Sequence, residues 1–148
     1  MGEPETRALV TNRKASFEYF LDDRFEAGIA LVGSEVKSLR AGKANLQDAW
    51  VELDPRGAWL IGCHISPYEQ ANRFNHDPLR KRQLLLNRAE LAKLTKAVRE
   101  RGRTIVPVRL YLKGSRIKVE IAIATGKKAH DKRNAIKERE ARREMRGE

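Results

Sequence analysis

Apolar and polar positions alternate along several short stretches of this chain, which is the period of a half-buried β-strand. Residues 54–57 and 113–114 are of the types that form tight turns, so they would close two pairs of these strands into hairpins. The predicted strands are 16–21, 25–33, 49–53, 58–65, 104–112 and 115–124, with 83–87 as either a short buried strand or the approach to a helix.

Two other stretches have the period of an amphipathic helix. Residues 87–102 predict a helix because Asn87 is a good N-cap and Glu90 follows it three positions later, as in a capping box. Residues 34–42 predict a shorter helix that Ser34 would cap. Helices are therefore few and lie between runs of strands.

These elements indicate a mainly β protein. Strands that return through hairpins pair antiparallel, and closing the sheet would remove its exposed edges, so we expect a small closed antiparallel barrel with about three peripheral helices. The length of 148 residues suits one folded unit. We place the barrel in residues 12–125, a flexible N-terminus in 1–11 and a basic tail in 126–148.

The charge balance narrows the class of partner. The chain has 31 Lys and Arg against 20 Asp and Glu, a formal net charge of +11, and the tail alone has 9 against 5. Such an excess favours a polyanion through counterion release and long-range attraction. Nucleic acid is the leading candidate, and an anionic membrane surface is the second.

An enzyme is the weaker interpretation, because no nucleophile with its base, carboxylate pair or phosphate loop can be assembled. His76 beside Asp77 is more typical of a solvated turn than of a general base. Cys63 is the only cysteine, so neither a disulfide framework nor a thiolate metal site is expected. We predict no cofactor, no metal and no membrane partner. The lack of a signal peptide or membrane span points to the cytoplasm.

Basic clusters and aromatic residues offer binding features instead. The chain has two basic clusters, one around the predicted helix 34–42 and one at residues 80–82. Either cluster alone is as easily an ordinary solvated surface, but together they favour RNA or DNA. The cationic candidates are Lys37, Arg40, Lys43, Arg80, Lys81 and Arg82. Trp50 and Trp59 lie in opposing hairpin strands and are more easily core than base-stacking residues, whereas Phe74 in a polar loop is a stacking candidate.

The tail has two interpretations. It is either a disordered basic appendage, or a segment that becomes helical when a partner removes its charge repulsion. The second is favoured by good helix formers and by Glu138 and Arg142 at i and i+4.

Four stretches resemble one known family, and they occur in its order along nearly the whole chain. They are NRKA (12–15), FEAGIALVGSEVKSLRAGKAN (25–45), DPLRKRQLLLN (77–87) and GKKAHDKRNAIKERE (126–140). The chain resembles the small protein B (SmpB) family, the SsrA-binding proteins of bacterial trans-translation. The resemblance implies an OB-like barrel without catalysis.

The resemblance also implies the partners. Members bind the tRNA-like domain of tmRNA (SsrA RNA), and through it they are linked indirectly to elongation factor Tu and alanyl-tRNA synthetase. They accompany tmRNA to stalled ribosomes, where the tail enters the decoding centre of 16S rRNA and the empty mRNA channel, so that the ribosome is rescued and the nascent peptide is tagged for degradation. The tail would be disordered when free and helical on the ribosome.

Carried to this chain, the resemblance and the charge pattern give two sets of candidate residues. For tmRNA they are Asn12, Arg13, Lys14, Glu26, Lys37, Arg40, Lys43, Arg80, Lys81, Arg82, Leu85 and Asn87. For the decoding centre and mRNA channel they are Gly126, Lys127, Lys128, His130, Asp131, Lys132, Arg133, Ile136, Lys137 and Glu138.

Each body residue carried over has a structural alternative that the sequence leaves open. Asn87 is as easily a helix cap, Leu85 a core residue and Glu26 a carboxylate that stabilises the fold. Phe17 stands where many members carry histidine, and the chain ends sooner than in many members. The other functions considered are a general RNA-binding or ribosomal structural protein and an RNA-processing hydrolase.

Overall fold

The computed structural model describes residues 5–145 of the chain as nine strands and four α-helices. The strands are β1 (Thr6–Thr11), β2 (Tyr19–Ile29), β3 (Ala44–Asn45), β4 (Trp50–Asp54), β5 (Gly57–Ile61), β6 (His64–Ile65), β7 (Arg82–Leu85), β8 (Arg103–Lys113) and β9 (Arg116–Gly126). The helices are α1 (Arg13–Glu18), α2 (Gly33–Arg40), α3 (Arg88–Val98) and α4 (Ala129–Met145), and a 3₁₀ segment spans Glu69–Phe74.

Seven strands form one antiparallel sheet in the order β1-β8-β9-β2-β7-β5-β4. The prediction of a closed barrel is wrong, because in the described part of the chain no ladder joins the edge strands β1 and β4. The open edges are tolerated since each is short and carries an exposed charge, Arg7 on β1 and Glu52 on β4. The sheet curls so that β4 packs against β8, and Leu60, Leu110 and Ile121 are fully buried in the core.

The N-terminal part departs from the sequence prediction in two ways. Regular structure begins before Asn12, since β1 pairs with β8 through residues 6–11. Residues 16–18 belong to helix α1 and not to a strand, because the Asn12 side chain caps that helix by accepting from the Ala15 amide at 3.3 Å. Apolar alternation alone could not reveal this local cap.

The stretch predicted as one strand, 58–65, is broken at Gly62, which has a φ of +76°. The chain bends there, and β6 pairs with β3 in a separate two-stranded sheet. The hairpins β4–β5 and β8–β9 are confirmed, and both alternatives for 83–87 are realised, since 83–85 lie in strand β7 and Asn87 is the N-cap of α3.

Helix α3 confirms the predicted capping box, in which the Asn87 side chain accepts from the Glu90 amide at 2.8 Å. Helix α2 is capped differently from the prediction. It begins at Gly33, and the Glu35 carboxylate, not Ser34, accepts from the Val32 amide at 2.9 Å. Glu35 itself is buried beneath the helix, for a reason described below.

Candidate RNA-binding surface

An open groove runs along the junction of β2, β7 and β9. Its apolar half is a cavity of about 310 Å³ lined by Gly28, Leu85 and Val36 among others. Its polar half is a cavity of about 420 Å³ lined by Glu26, Lys113 and other residues. The two cavities share residues of the β8–β9 hairpin, so they form one continuous surface, which we call the groove.

Leu85 forms the apolar floor of the groove, and 57% of it is exposed. The core alternative for Leu85 is therefore wrong. Gly28 lies opposite Leu85 in the β2–β7 ladder, and a Cβ at position 28 would stand 3.2 Å from the Leu85 Cβ. The glycine thus lets the Leu85 side chain lie across the strand, where a flat base or sugar could pack on it.

Glu26 is the acidic group of the groove. Its carboxylate accepts hydrogen bonds from the Tyr111 hydroxyl and from the Lys113 ammonium, the latter at 3.1 Å and 3.3 Å. The Tyr111 hydrogen bond is the main cause that lowers the pKa of Glu26 below its ordinary value. Burial, together with Glu26, raises the pKa of Tyr111. Glu26 is consequently an ionised acceptor held in one place.

The basic residues that surround Glu26 are not among the candidates predicted from the sequence. Lys113, Arg116 and Lys118 come from the β8–β9 hairpin and line the polar half of the groove. The available signal was the alternation of 115–124, which placed Arg116 and Lys118 on the wet face of the strand. Their charges surround the Glu26 carboxylate with donors for phosphate.

Asn87 and the predicted basic residues on and just after α2 are not among the residues that line the two cavities of the groove. Asn87 is exposed, and its side chain caps helix α3. The described contacts of Asn87 are therefore those of the structural alternative, a helix cap. Lys37, Arg40 and Lys43 are exposed on and just after α2, whose Val36 lines the groove.

The predicted basic cluster of Arg80, Lys81 and Arg82 does not form one exposed surface, because the three side chains differ in burial. Lys81 is exposed and its ammonium lies 4.7 Å from the ring centroid of Trp59. Arg82 is fully buried, so it has no surface for contacting phosphate. It donates to Glu35 and, at 2.7 Å, to the Cys63 carbonyl oxygen.

Arg82 can be buried because its charge is paired with the carboxylate of Glu35. Burial alone would raise the pKa of Glu35, but hydrogen bonds from Arg80, the Val32 amide and Arg82 keep it below its ordinary value. Arg80, which is partly exposed, donates to Glu35 at 2.6 Å. The buried cluster of Glu35, Arg80 and Arg82 therefore joins α2 to β7 and fixes the strand that presents Leu85.

The NRKA stretch lies away from the groove, on α1. Asn12 is buried, and its amide nitrogen donates to the carbonyls of Pro107 at 2.8 Å and Leu46 at 3.2 Å. It thereby positions the exposed Arg13 and the partly exposed Lys14. We interpret Asn12 as a positioning residue.

The tail leaves the body beside α1. Gly126 is the last residue of β9, opposite Tyr19, and Lys127 remains bound to the body because its ammonium donates to the Ser16 carbonyl at 3.1 Å. Helix α4 then lies near α1, where Arg139 and Lys132 are 5.5 Å and 6.0 Å from the ring centroid of Phe17. A cavity of about 510 Å³ separates the two helices.

The other tail candidates lie on helix α4 or just before it. Arg133, Ile136, Lys137 and Glu138 are exposed on α4, and Glu138 pairs with Arg142 at 3.8 Å as predicted. Lys128 precedes the helix. The predictions for His130 and Asp131 concern side chains outside the part of the chain that the structure describes.

His76 is neither a solvated turn residue nor a free base. It is buried, its Nδ1 lies 2.8 Å from the Ser34 hydroxyl and its Nε2 lies 2.8 Å from the Ile65 carbonyl oxygen. Among the side chains that the structure describes, no three His, Cys, Asp or Glu are grouped to hold a metal ion. No described helix is both long and apolar enough to cross a membrane.

Comparison with known proteins gives consistent matches over nearly the whole chain. The family model "SmpB protein" matches residues 9–148. The "SsrA-binding protein" of Symbiobacterium thermophilum is 54% identical over 142 residues, which cover 95% of this chain and 90% of that protein. The "SsrA-binding protein" of Desulforudis audaxviator is 51% identical over 143 residues, covering 97% and 93%.

A solved structure described as "tmRNA-SmpB: a journey to the center of the bacterial ribosome" has a TM-score of 0.69 and 42% identity, covering 80% of this chain and 84% of its own. The fold, the extent of the family match and the identity to these relatives agree. The chain belongs to the SmpB family, whose members bind RNA and are not enzymes.

Proposed function

We propose that this protein binds the tRNA-like domain of tmRNA through the groove and carries it to stalled ribosomes in trans-translation. The observation that carries the proposal is the exposed Leu85 floor directly beside an ionised Glu26 ringed by cations. The "SsrA-binding protein" relatives at about half identity support the choice of RNA.

The groove offers one kind of contact for each part of an RNA strand. Leu85 packs against an apolar face of a base or ribose, and Glu26 accepts from a base amino group or a 2′-hydroxyl. Lys113, Arg116 and Lys118 contact phosphates. A folded RNA with an unpaired loop fits this combination better than a regular duplex, whose base edges are hidden in a deep groove.

The second part of the proposal concerns the tail. Helix α4 would leave the body and lie in the decoding centre and the empty mRNA channel, with its cations on 16S rRNA. Support comes from its composition, since its described side chains are largely exposed and charged, and two of them contact the body as cations over the Phe17 ring. Association with elongation factor Tu and alanyl-tRNA synthetase would follow indirectly through tmRNA.

The first experiment is a titration of the protein with the tRNA-like domain of tmRNA at two salt concentrations, with excess elongator tRNA as competitor. We expect a Kd on the order of 10⁻⁸ M or tighter that survives the competitor. Loss of binding with salt or competitor would leave a general RNA-binding protein, since phosphate attraction alone is strongly salt-dependent.

The tail is tested by ending the chain after Lys128. This position keeps the Gly126 and Lys127 contacts with the body and removes α4. We expect RNA affinity within about twofold of the full-length value and loss of peptide tagging on stalled ribosomes. Loss of RNA binding by the shortened chain would refute the division of roles between groove and tail.

A further inference from the structure

A second candidate site lies on the α1 side of the molecule, away from the groove. It is a cavity of about 350 Å³ between α1, β4 and β8, a volume in the range of small-ligand sites. Tyr19 and Trp50 supply its aromatic surface, and Lys14, Asp48 and Thr104 supply polar groups. We call it the Trp50 cavity.

Trp50 is exposed to 45%, although the sequence favoured a core position for it. It begins the edge strand β4, and its ring edge rests on Gly62. A Cβ at position 62 would stand 3.1 Å from the Trp50 Cζ3 and 2.9 Å from the Asp48 carbonyl oxygen. The glycine therefore allows the indole to be braced by backbone while much of it faces solvent. An aromatic face fixed in this way stacks a base with little further loss of freedom.

The polar residues of the cavity supply hydrogen-bonding groups beside that face. The Asp48 side chain is 84% exposed, and its Oδ1 lies 3.4 Å from the Lys14 ammonium. An exposed pair of this kind is weak and easily exchanged for another partner. A carboxylate accepts two hydrogen bonds side by side, and the Watson–Crick edge of guanine offers two adjacent N–H donors, whereas adenine offers its amino group alone.

An adjoining cavity provides a place for phosphate. It has a volume of about 280 Å³, shares Asn12, Lys14 and Gln47 with the Trp50 cavity and adds Arg13. A nucleotide whose base lies on Trp50 would thus extend its backbone towards two cations, Arg13 and Lys14.

We propose that the Trp50 cavity binds a single unpaired RNA base, guanine in preference to adenine, by stacking on Trp50 and hydrogen bonding to Asp48, with the backbone phosphate towards Arg13 and Lys14. This site is separate from the groove, so it does not depend on tmRNA being the RNA that the groove binds.

The protein's two tryptophans make the test direct. Trp59→Phe leaves Trp50 as the only indole, and Trp50→Phe leaves Trp59, which lies under Lys81 outside the cavity. The probes are the RNA trinucleotides UGU, UAU and UCU. In Trp59→Phe protein, UGU should quench fluorescence saturably and bind roughly threefold or more tightly than UAU and UCU. In Trp50→Phe protein, no trinucleotide should quench.

A second variant isolates the hydrogen bonds. Asp48→Asn should bring the affinity for UGU down to that for UAU, while stacking and quenching remain. The two indole N–H signals of the wild-type protein give a readout that needs no substitution, and only that of Trp50 should shift with UGU. Quenching of Trp59, absence of quenching at Trp50, or a guanine preference unchanged by Asp48→Asn would overturn the proposal. A result of this kind would leave the tmRNA titration unaffected.

Discussion

The groove and the tail are held in very different ways. The groove rests on sheet ladders, on the buried cluster of Glu35, Arg80 and Arg82, and on Glu26, which is fixed by Tyr111 and Lys113. The described contacts of the tail helix with the body include the exposed Arg139 and the partly buried Lys132 over the Phe17 ring. Contacts of the first kind are costly to break, while each of the second is worth only about 0.5–1 kcal/mol at an exposed site.

This difference fits two kinds of recognition. A surface that must discriminate one folded RNA benefits from groups that are already in place, because less freedom is lost on binding. A segment that must enter a channel benefits from weak attachment, because little free energy is needed to release it. Substitutions should therefore affect stability and binding in a graded order from the groove cluster to the tail.

The largest effect is expected from Glu35→Ala. It leaves Arg82 as a buried charge without its carboxylate partner, so the free energy of unfolding should fall by about 3–5 kcal/mol. Chemical denaturation measures this. The control is Glu52→Ala, an exposed carboxylate on the edge strand β4, which should change stability by less than about 0.5 kcal/mol. Equal effects of the two would mean that the buried cluster does not secure the groove.

Glu26→Ala is expected to weaken binding of the tRNA-like domain by at least about tenfold, since a hydrogen bond to a charged group is worth about 1.5–3 kcal/mol. Glu52→Ala again serves as the control in the same titration. An unfolded Glu26→Ala protein would instead establish the structural alternative for this carboxylate.

The pH dependence should follow Glu26 as well. Because its pKa in the folded protein lies below the ordinary value of 4.5, the carboxylate stabilises the fold above that pH and this contribution is lost as pH falls through the lower folded value. Denaturation at a series of pH values below 4.5 should show a shallower loss for Glu26→Gln than for the wild-type protein. Identical slopes would contradict the proposed Tyr111 and Lys113 contacts.

The smallest effect is expected from Phe17→Ala. It removes the ring under Lys132 and Arg139, so amide exchange in α4 should accelerate by a few fold while the melting temperature of the body changes little. Phe20→Ala is a matched control, since Phe20 lies under Lys127 and not under α4. Equal acceleration by both would show that Phe17 does not hold the tail.

Local patterns predicted the elements whose cause is local. The α3 cap depends on Asn87 and Glu90, and the β8–β9 hairpin depends on alternation around one turn, so both could be read from adjacent residues. Helix α1 was missed although its cap is local, because the alternation of 16–21 matches a strand and Asn12 is fixed in its capping position by carbonyls at residues 46 and 107. Whether the sheet closes likewise depends on whether its two edge strands pair, and side-chain alternation does not predict this.

Local sequence patterns also predicted only part of the candidate site. Leu85 and Glu26 entered through a family resemblance, and pattern alone gave no reason to expose a leucine. Arg82 was counted with its basic neighbours, but its partner Glu35 lies 47 positions earlier and reaches it only in the folded protein. Arg116 and Lys118 were predicted to lie on the solvent face and Lys113 to lie in a turn, yet their convergence on Glu26 required the sheet register.

The pairing of β1 with β8 also sets the order of folding. Strand β1, the first in the described residues, lies at the sheet edge beside a strand that ends at Lys113, so its partner is missing until most of the protein has been synthesised. Pairs of such long sequence separation form late and slowly. A nascent chain that stops before β8 would retain an unpaired β1 and an incomplete core, and exposed apolar surface of that kind favours aggregation.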